Sequence, residues 1–339
     1  MAHLEMDKQL LYRHQGPHTQ IDSLRGIFPT DLPSQAHALS YSYKITMAST
    51  EAFLEALIAN DSSALPLSKN LKATENAHPS DLKSGLWTKA TKIGSYKFTL
   101  SDPKTGQHGF VGVIWRGETA SLVSIRIKIV NGEIEESEII IGLDRFPGEQ
   151  GTDPRTLTTW REDMGTVIPK EKRHSREELQ DIAASYYDGV THNTPEKVPL
   201  SHKGNRVENG TRITNNPDFS LVDGFYEPWD PSDVVPNFGE WSPKEQFDRG
   251  LWGSDTVSGM RYPLIDEERG LVMAYAIYEP WTKATVTEVK GVGKIKRLGG
   301  DDRIKVSLCM MELFKIQDGE IWDMESVWFV GPLPMSSGW

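Results

Sequence analysis

Apolar residues recur along this chain in two periods, and the two alternate in the same order twice. Over 49–60 (Ser-Thr-Glu-Ala-Phe-Leu-Glu-Ala-Leu-Ile-Ala-Asn) they fall at Phe53, Leu54, Leu57 and Ile58 behind a Ser/Thr start, a spacing that makes one apolar face on a helix. The period then becomes two. Strands are expected over 94–100, 108–115, 120–130 and 134–142, separated by Gly-Ser, Asp-Pro-Lys-Thr-Gly, Arg-Gly-Glu and Asn-Gly turns. Ser175-Arg-Glu-Glu supplies an N-cap with a glutamate three residues on, which opens a second helix over 176–193 with apolar positions Leu179, Ile182, Ala183, Tyr186, Tyr187 and Val190. Strands are expected again over 206–213, 270–279, 304–317 and 320–330. A helix followed by a meander of long strands describes an α+β domain in which a curved, mostly antiparallel sheet wraps around helices.

The two halves read as copies. Leu65-Pro66-Leu67-Ser68 leading to Thr74-Glu75-Asn76-Ala77 matches Val198-Pro199-Leu200-Ser201 leading to Val207-Glu208-Asn209-Gly210 at an offset of 133 (199 minus 66), which also sets Asn60 on Asn193. Farther on, Ile129-Val130-Asn131-Gly132-Glu133-Ile134 matches Ile316-Gln317-Asp318-Gly319-Glu320-Ile321, and Asn-Gly and Asp-Gly between alternating apolar residues are hairpin signals. Here the offset is 187 (319 minus 132), so the second half carries 54 further residues (187 minus 133). The stretch 214–262 is crowded with Phe219, Phe225, Tyr226, Trp229, Phe238, Trp241, Phe247, Trp252 and Tyr262 without periodicity. Such aromatics either pack on the neighbouring domain or close over a cavity. The expected organisation is an N-terminal extension over 1–48, a first domain over 49–145, a Pro/Gly-rich linker over 146–174, and a second domain over 175–339 with an aromatic-rich insertion at 214–262.

Composition narrows the partners. The 339 residues hold 37 basic and 48 acidic side chains for a net charge of −11, with no run of Lys or Arg, so phosphate backbones are repelled and nucleic acid is not an expected partner. No stretch approaches the roughly 18 consecutive apolar residues of a membrane span. The first 46 residues hold no apolar core of a signal peptide. The single cysteine, Cys309, sits in an apolar run as a small hydrophobe, and a cytoplasmic location is expected. The histidines show no metal-ligand spacing, and no nucleotide-binding glycine pattern or Gly-x-Ser-x-Gly elbow is present, so neither a metal nor another cofactor is expected.

Several stretches together resemble a family: Leu86-Trp87-Thr88-Lys89-Ala90-Thr91, Gly109-Phe110-Val111-Gly112, Arg206-Val207-Glu208-Asn209-Gly210, Asp266-Glu267-Glu268-Arg269-Gly270-Leu271-Val272, Glu312-Leu313-Phe314-Lys315-Ile316 and the Ser337-Gly338-Trp339 end. With the repeat, they make the chain from about 49 onward similar to fungal duplicated SnoaL-like proteins of the nuclear transport factor 2-like superfamily, which includes ketosteroid isomerase. The resemblance implies two tandem cone-shaped domains, each with a pocket between helices and the concave sheet face, forming an internal pseudo-dimer. Such pockets suit hydrophobic small molecules. By the same resemblance, Tyr186 falls where the isomerase has its tyrosine donor and Asn209 where it has its aspartate base; the first half has Phe53 and Asn76 there. Asparagine cannot take a proton, so Asn209 can orient a carbonyl or hydroxyl but not act as base.

Glu312 interrupts Leu308-Cys309-Met310-Met311 and Leu313-Phe314, so its carboxylate is either desolvated, with a raised pKa, or paired with Arg249, Arg261 or Arg269. Glu208 can act as an acid or base or, on an alternating strand, anchor the opposite face. The expected catalytic residues are Tyr186, Asn209 and Glu312, with Glu208, Trp252, Met273, Tyr275, Met310 and Phe314 around the substrate. The expected function is a cofactor-free lyase, isomerase or cyclase, a pericyclic cyclisation included, acting on a hydrophobic small molecule in specialised metabolism. The alternative is a non-catalytic small-molecule binding or scaffolding protein.

Overall fold

The computed structural model describes residues 50–143, 151–220, 226–252, 255–279, 286–297 and 306–339. The expected extension over 1–48 lies outside them. The first half opens with helix α1 (50–59), followed by strands β1 (Leu67–Glu75), β2 (His78–Pro79), β3 (Lys92–Asp102), β4 (Gln107–Arg116), β5 (Thr119–Val130) and β6 (Glu133–Ile141). They form one six-stranded sheet in the order β2-β1-β6-β5-β4-β3. Only the β1–β6 pairing is parallel; the rest are antiparallel.

After a short helix α2 (Glu162–Gly165), helix α3 (Arg176–His192) begins at the expected capping box, with Ser175 Oγ accepting from the Glu178 N–H and Glu178 accepting from the Ser175 N–H. It ends on Asn193 in the left-handed conformation, φ 54°, as Asn60 does at φ 56° in the first half. Then come β7 (Leu200–Glu208), β8 (Thr211–Arg212), β9 (Tyr226–Pro228), helix α4 (Pro243–Asp248), β10 (Thr256–Asp266), β11 (Leu271–Glu279), β12 (Val286–Val289), β13 (Gly293–Arg297), β14 (Val306–Gln317) and β15 (Glu320–Pro332). The second six-stranded sheet, β10-β11-β14-β15-β7-β8, repeats the order of the first, with β7 parallel to β15. The α+β class and the two-domain arrangement both fit this repeated architecture. Both hairpin turns are as the sequence predicts, Asn131-Gly132 at φ 52° and 83° and Asp318-Gly319 at φ 51° and 79°.

The extra residues of the second half differ from expectation in placement. They form two insertions, one between β8 and β10 and one between β11 and β14, and the two meet: β9 from the first pairs with β13 from the second in a three-stranded sheet, β12-β13-β9. The first insertion also ends earlier than 262, since β10 begins at Thr256 and Tyr262 lies on a sheet strand.

Three apolar cores result. One, around Phe53, Leu57, Trp87, Phe110, Ile125 and Ile139, fills the inside of the first half. A second, around Tyr186, Tyr187, Phe247, Tyr278 and Phe314, lies inside the second half. The third joins the two sheets and includes Val111, Leu122, Ile140, Met273, Tyr275, Cys309, Met311 and Val327. Strand alternation explains the division: along β14, Met310, Phe314 and Ile316 turn inward while Cys309, Met311 and Leu313 face the other sheet. The aromatics Phe219, Tyr226, Phe238 and Phe247 of the insertion join the core of the second half itself, and Trp229 remains half exposed. Phe225 lies outside the described residues.

Candidate functional site

The same topology twice allows the two interiors to be compared position by position. The offset is 133 along the helix and the first strand, 164 (266 minus 102) across the next hairpin, and 187 across the last. At these offsets Phe53, Leu54, Ala73, Ile114 and Ile125 of the first half correspond to Tyr186, Tyr187, Arg206, Tyr278 and Glu312 of the second. All five first-half residues belong to that half's apolar core. All five second-half residues are buried. Burying five polar side chains in place of apolar ones is costly to folding unless each is hydrogen-bonded or neutralised.

The registers place the middle of this set on one row. Glu208, Ser326, Glu312 and Ala274 are successive cross-strand partners on β7, β15, β14 and β11. The first-half row is Glu75, Ile139, Ile125 and Phe110. Directly opposed residues project to the same face. The second half has thus exchanged a phenylalanine for alanine and an isoleucine for serine on either side of its buried carboxyl, which removes bulk next to Glu312.

Glu312 is 1% exposed and accepts a hydrogen bond from Tyr278 Oη at 3.0 Å. Tyr187 presents its hydroxyl to the same carboxyl, but no formed hydrogen bond holds it. Burial pushes the Glu312 pKa up to about 7, against the tyrosine hydroxyls and Arg206, which lower it. Arg249, Arg261 and Arg269 are occupied elsewhere, by Glu245, Glu138 and Asp266. Arg206 is held by Glu208, whose Oε1 accepts from Nε at 2.9 Å and Nη2 at 2.7 Å, and its guanidinium lies 4.0 Å from the centroid of the Trp252 ring. Glu75, the first-half counterpart of Glu208, accepts from the Leu86 backbone N–H instead.

Tyr186, Tyr187 and Phe314 form an aromatic cluster on the inner side with Glu312, and Phe247 packs against Tyr186; centroid separations are 5.2 to 5.8 Å for the pairs Tyr186–Phe247, Tyr186–Phe314, Tyr186–Tyr187 and Tyr187–Phe314. Tyr262 and Tyr278 each lie 6.1 Å from Tyr187. Burial first, and nearby carboxylates after it, raise all four tyrosine pKa values, that of Tyr262 to about 12, so the phenols stay protonated and can donate.

The structure brings together Tyr186, Glu312, Glu208, Trp252, Met310 and Phe314. Three expected site residues fall elsewhere. Asn209 adopts φ 45°; its Oδ1 accepts from the Trp328 N–H at 3.0 Å and its Nδ2 donates to the Trp328 carbonyl at 3.0 Å. Asn76 has the same conformation and accepts from the Ile141 N–H, so the repeated asparagine is a strand-end clamp in both halves. Met273 and Tyr275 lie in the core between the sheets, because β11 turns Val272, Ala274, Ala276 and Tyr278 inward and the alternate residues outward. The sequence reading also passed over Arg206, Tyr187, Tyr278, Ser326 and Ala274. The signal that finds them is a difference between the repeats: inward positions polar or small in one half and bulky and apolar in the other. Among the described residues no group of His, Cys, Asp or Glu could hold a metal ion, and no helix is long and apolar enough to cross a membrane.

A family model described as a domain of unknown function (DUF8021) matches residues 172–328, from just before α3 into β15. The chain is therefore similar to that family over its second half, insertions included. No curated protein matches. Two solved structures show similarity at 12% identity and a TM-score of 0.24: PrhC from Penicillium brasilianum NBRC 6234, aligned over 45% of this chain and 82% of that one, and AusH from Aspergillus nidulans, over 48% and 90%.

Proposed function

We propose that the chain is a cofactor-free enzyme, a lyase, isomerase or cyclase, that exchanges protons with a hydrophobic small molecule inside its second half. The observation that carries this reading is the set of buried polar residues, Tyr186, Tyr187, Arg206, Tyr278 and Glu312, at positions where the first half is apolar. In this reading each half is a cone, the two sheets pack as an internal pseudo-dimer, and the first cone is a filled scaffold. Resemblance to duplicated SnoaL-like proteins supports a place in specialised metabolism.

Glu312 acts as general acid and base. A carboxyl with a pKa of about 7 is near half ionised at neutral pH, so it can take a substrate proton and return it at a second atom, or deliver it to a leaving group. Tyr186 and Tyr187 donate to oxygen on which negative charge develops. Arg206 offsets part of the Glu312 charge while remaining fixed by Glu208 and Trp252. Trp252, Met310 and Phe314 line the apolar part. The sheet formed by the two insertions excludes water, contributing Tyr226, Val289 and Ile295 to the same core.

The test is to incubate the purified chain with a small-molecule extract and follow bound species and turnover by mass spectrometry, beside Glu312→Gln and Tyr186→Phe. Turnover that falls by about 100-fold or more in Glu312→Gln supports general acid–base catalysis. A ligand retained unchanged by all three proteins would replace the enzyme reading with that of a carrier.

A further inference from the structure

Glu312 lacks what a buried carboxylate ordinarily has. Among the described residues no cation forms an ion pair with it; its formed hydrogen bond is from Tyr278, and the nearby Arg206 gives Nε and Nη2 to Glu208 and its face to Trp252. The groups facing Glu312 are Tyr186 and Tyr187 from α3, Arg206 and Glu208 from β7, Tyr262 from β10 and Tyr278 from β11; Asp188 of α3 acts on Tyr262 and Asp255 on Tyr186. Besides its own charge, Glu312 thus faces one carboxylate, Glu208, and one guanidinium, Arg206, and these two pair with each other. An anionic ligand group meets like charge there, whereas a cation completes the balance.

The surroundings suit an organic cation in a second respect. The rings of Tyr186, Tyr187, Tyr278 and Phe314 cluster beside the carboxyl, and aromatic faces attract ammonium groups in water-excluded sites. A third observation is independent of charge. Ser326, 0% exposed and directly across the strand pair from Glu312, has no hydrogen-bond partner for its Oγ, and a buried unpaired hydroxyl is costly to folding unless a ligand pairs with it.

We infer that the ligand of this interior carries a protonated amine on a hydrophobic framework, with Glu312 as counter-ion, Ser326 Oγ as hydrogen-bond acceptor and the tyrosine rings as a cation-binding wall. The inference rests on the reading that the second interior is the site, and it names the substrate class for it. It also gives the proton transfer a concrete first step: the Glu312 carboxylate takes a proton from the ammonium nitrogen, leaving a neutral amine with a free electron pair and a neutral carboxyl.

The test titrates the full chain with tryptamine and tryptophol, which share an indole and differ by amine against hydroxyl, using calorimetry at pH 6 and pH 8. Tryptamine binds about ten-fold more tightly or better at pH 8, and its advantage shrinks at pH 6, where Glu312 is mostly protonated while Arg206 and the tyrosines do not change state. Glu312→Gln abolishes the preference. Ala274→Phe, which restores the first-half residue beside Glu312, weakens both probes. If tryptophol binds as well as tryptamine and Ala274→Phe weakens both, the amine inference is overturned and the site stands. If neither probe binds, or Ala274→Phe leaves both unchanged, the amine inference and the assignment of the site fall together.

Discussion

At the scale of single residues, the buried carboxyl of Glu312 has a consequence for stability as well as for chemistry. Its pKa rises from 4.5 to about 7 on folding, so between those values the native chain holds a proton that the unfolded chain releases. Stability from this group is therefore full below about pH 4.5 and is lost as pH rises through 7, a swing of about 3 kcal/mol from the linkage of one raised pKa. Glu312→Gln removes the titration but keeps an acceptor for Tyr278. The variant should melt a few degrees above the parent at pH 8, with the gap closing at pH 5; thermal melts at the two pH values decide it, and an equal difference at both would show that the proton is not the cause. This residue was legible in the sequence because a lone carboxylate between apolar residues on a strand has few fates. Arg206 and Tyr278 were not, because one strand of mixed residues does not reveal which face is buried.

At the scale of elements, helices with caps and hairpins with Asn-Gly or Asp-Gly turns were readable, since those signals are local. The second half's excess was misplaced because β9, at Tyr226–Pro228, pairs with β13, at Gly293–Arg297, and no local pattern encodes a partner so far along the chain. Asn209 shows the same limit on the side-chain level. Its residue type and its place after a strand matched a ligand-binding position, but its positive φ commits it to clamping β15 to the end of β7. Asn209→Ala should cost about 2–4 kcal/mol, from two lost hydrogen bonds and alanine's strain in the left-handed region. Asn76→Ala, which loses its bond to the Ile141 N–H, should cost less. Denaturant unfolding of both variants measures the order, and a larger effect at Asn76 would contradict the clamp.

For the whole molecule, the two sheets are joined by an apolar core laced with buried charge that crosses between the halves. Glu138 of β6 pairs with Arg261 of β10, and at the matching position Glu325 of β15 accepts from Tyr96 of β3. The stretch expected as a linker adds to this junction: Trp160 stacks on Phe98 with centroids 5.1 Å apart, and Arg161 reaches Asp323 at 2.5 Å and Glu325 at 3.1 Å. Burial raises both carboxyl groups to about 7, with Asp163 adding to the rise at Asp323. Arg161 is their counter-ion whenever they ionise. Arg161→Met keeps the side-chain length and removes the charge, so at pH 8 it leaves the buried carboxylates of Asp323 and Glu325 without their counter-ion, at a cost of about 3–5 kcal/mol. At pH 6 the same carboxyl groups are mostly protonated and the cost shrinks. Scanning calorimetry of parent and variant at the two pH values should therefore show a gap in melting temperature that widens with pH. A gap of equal size at both would mean that Arg161 acts through packing alone, and that the charge at the junction does not determine how firmly the two halves hold together.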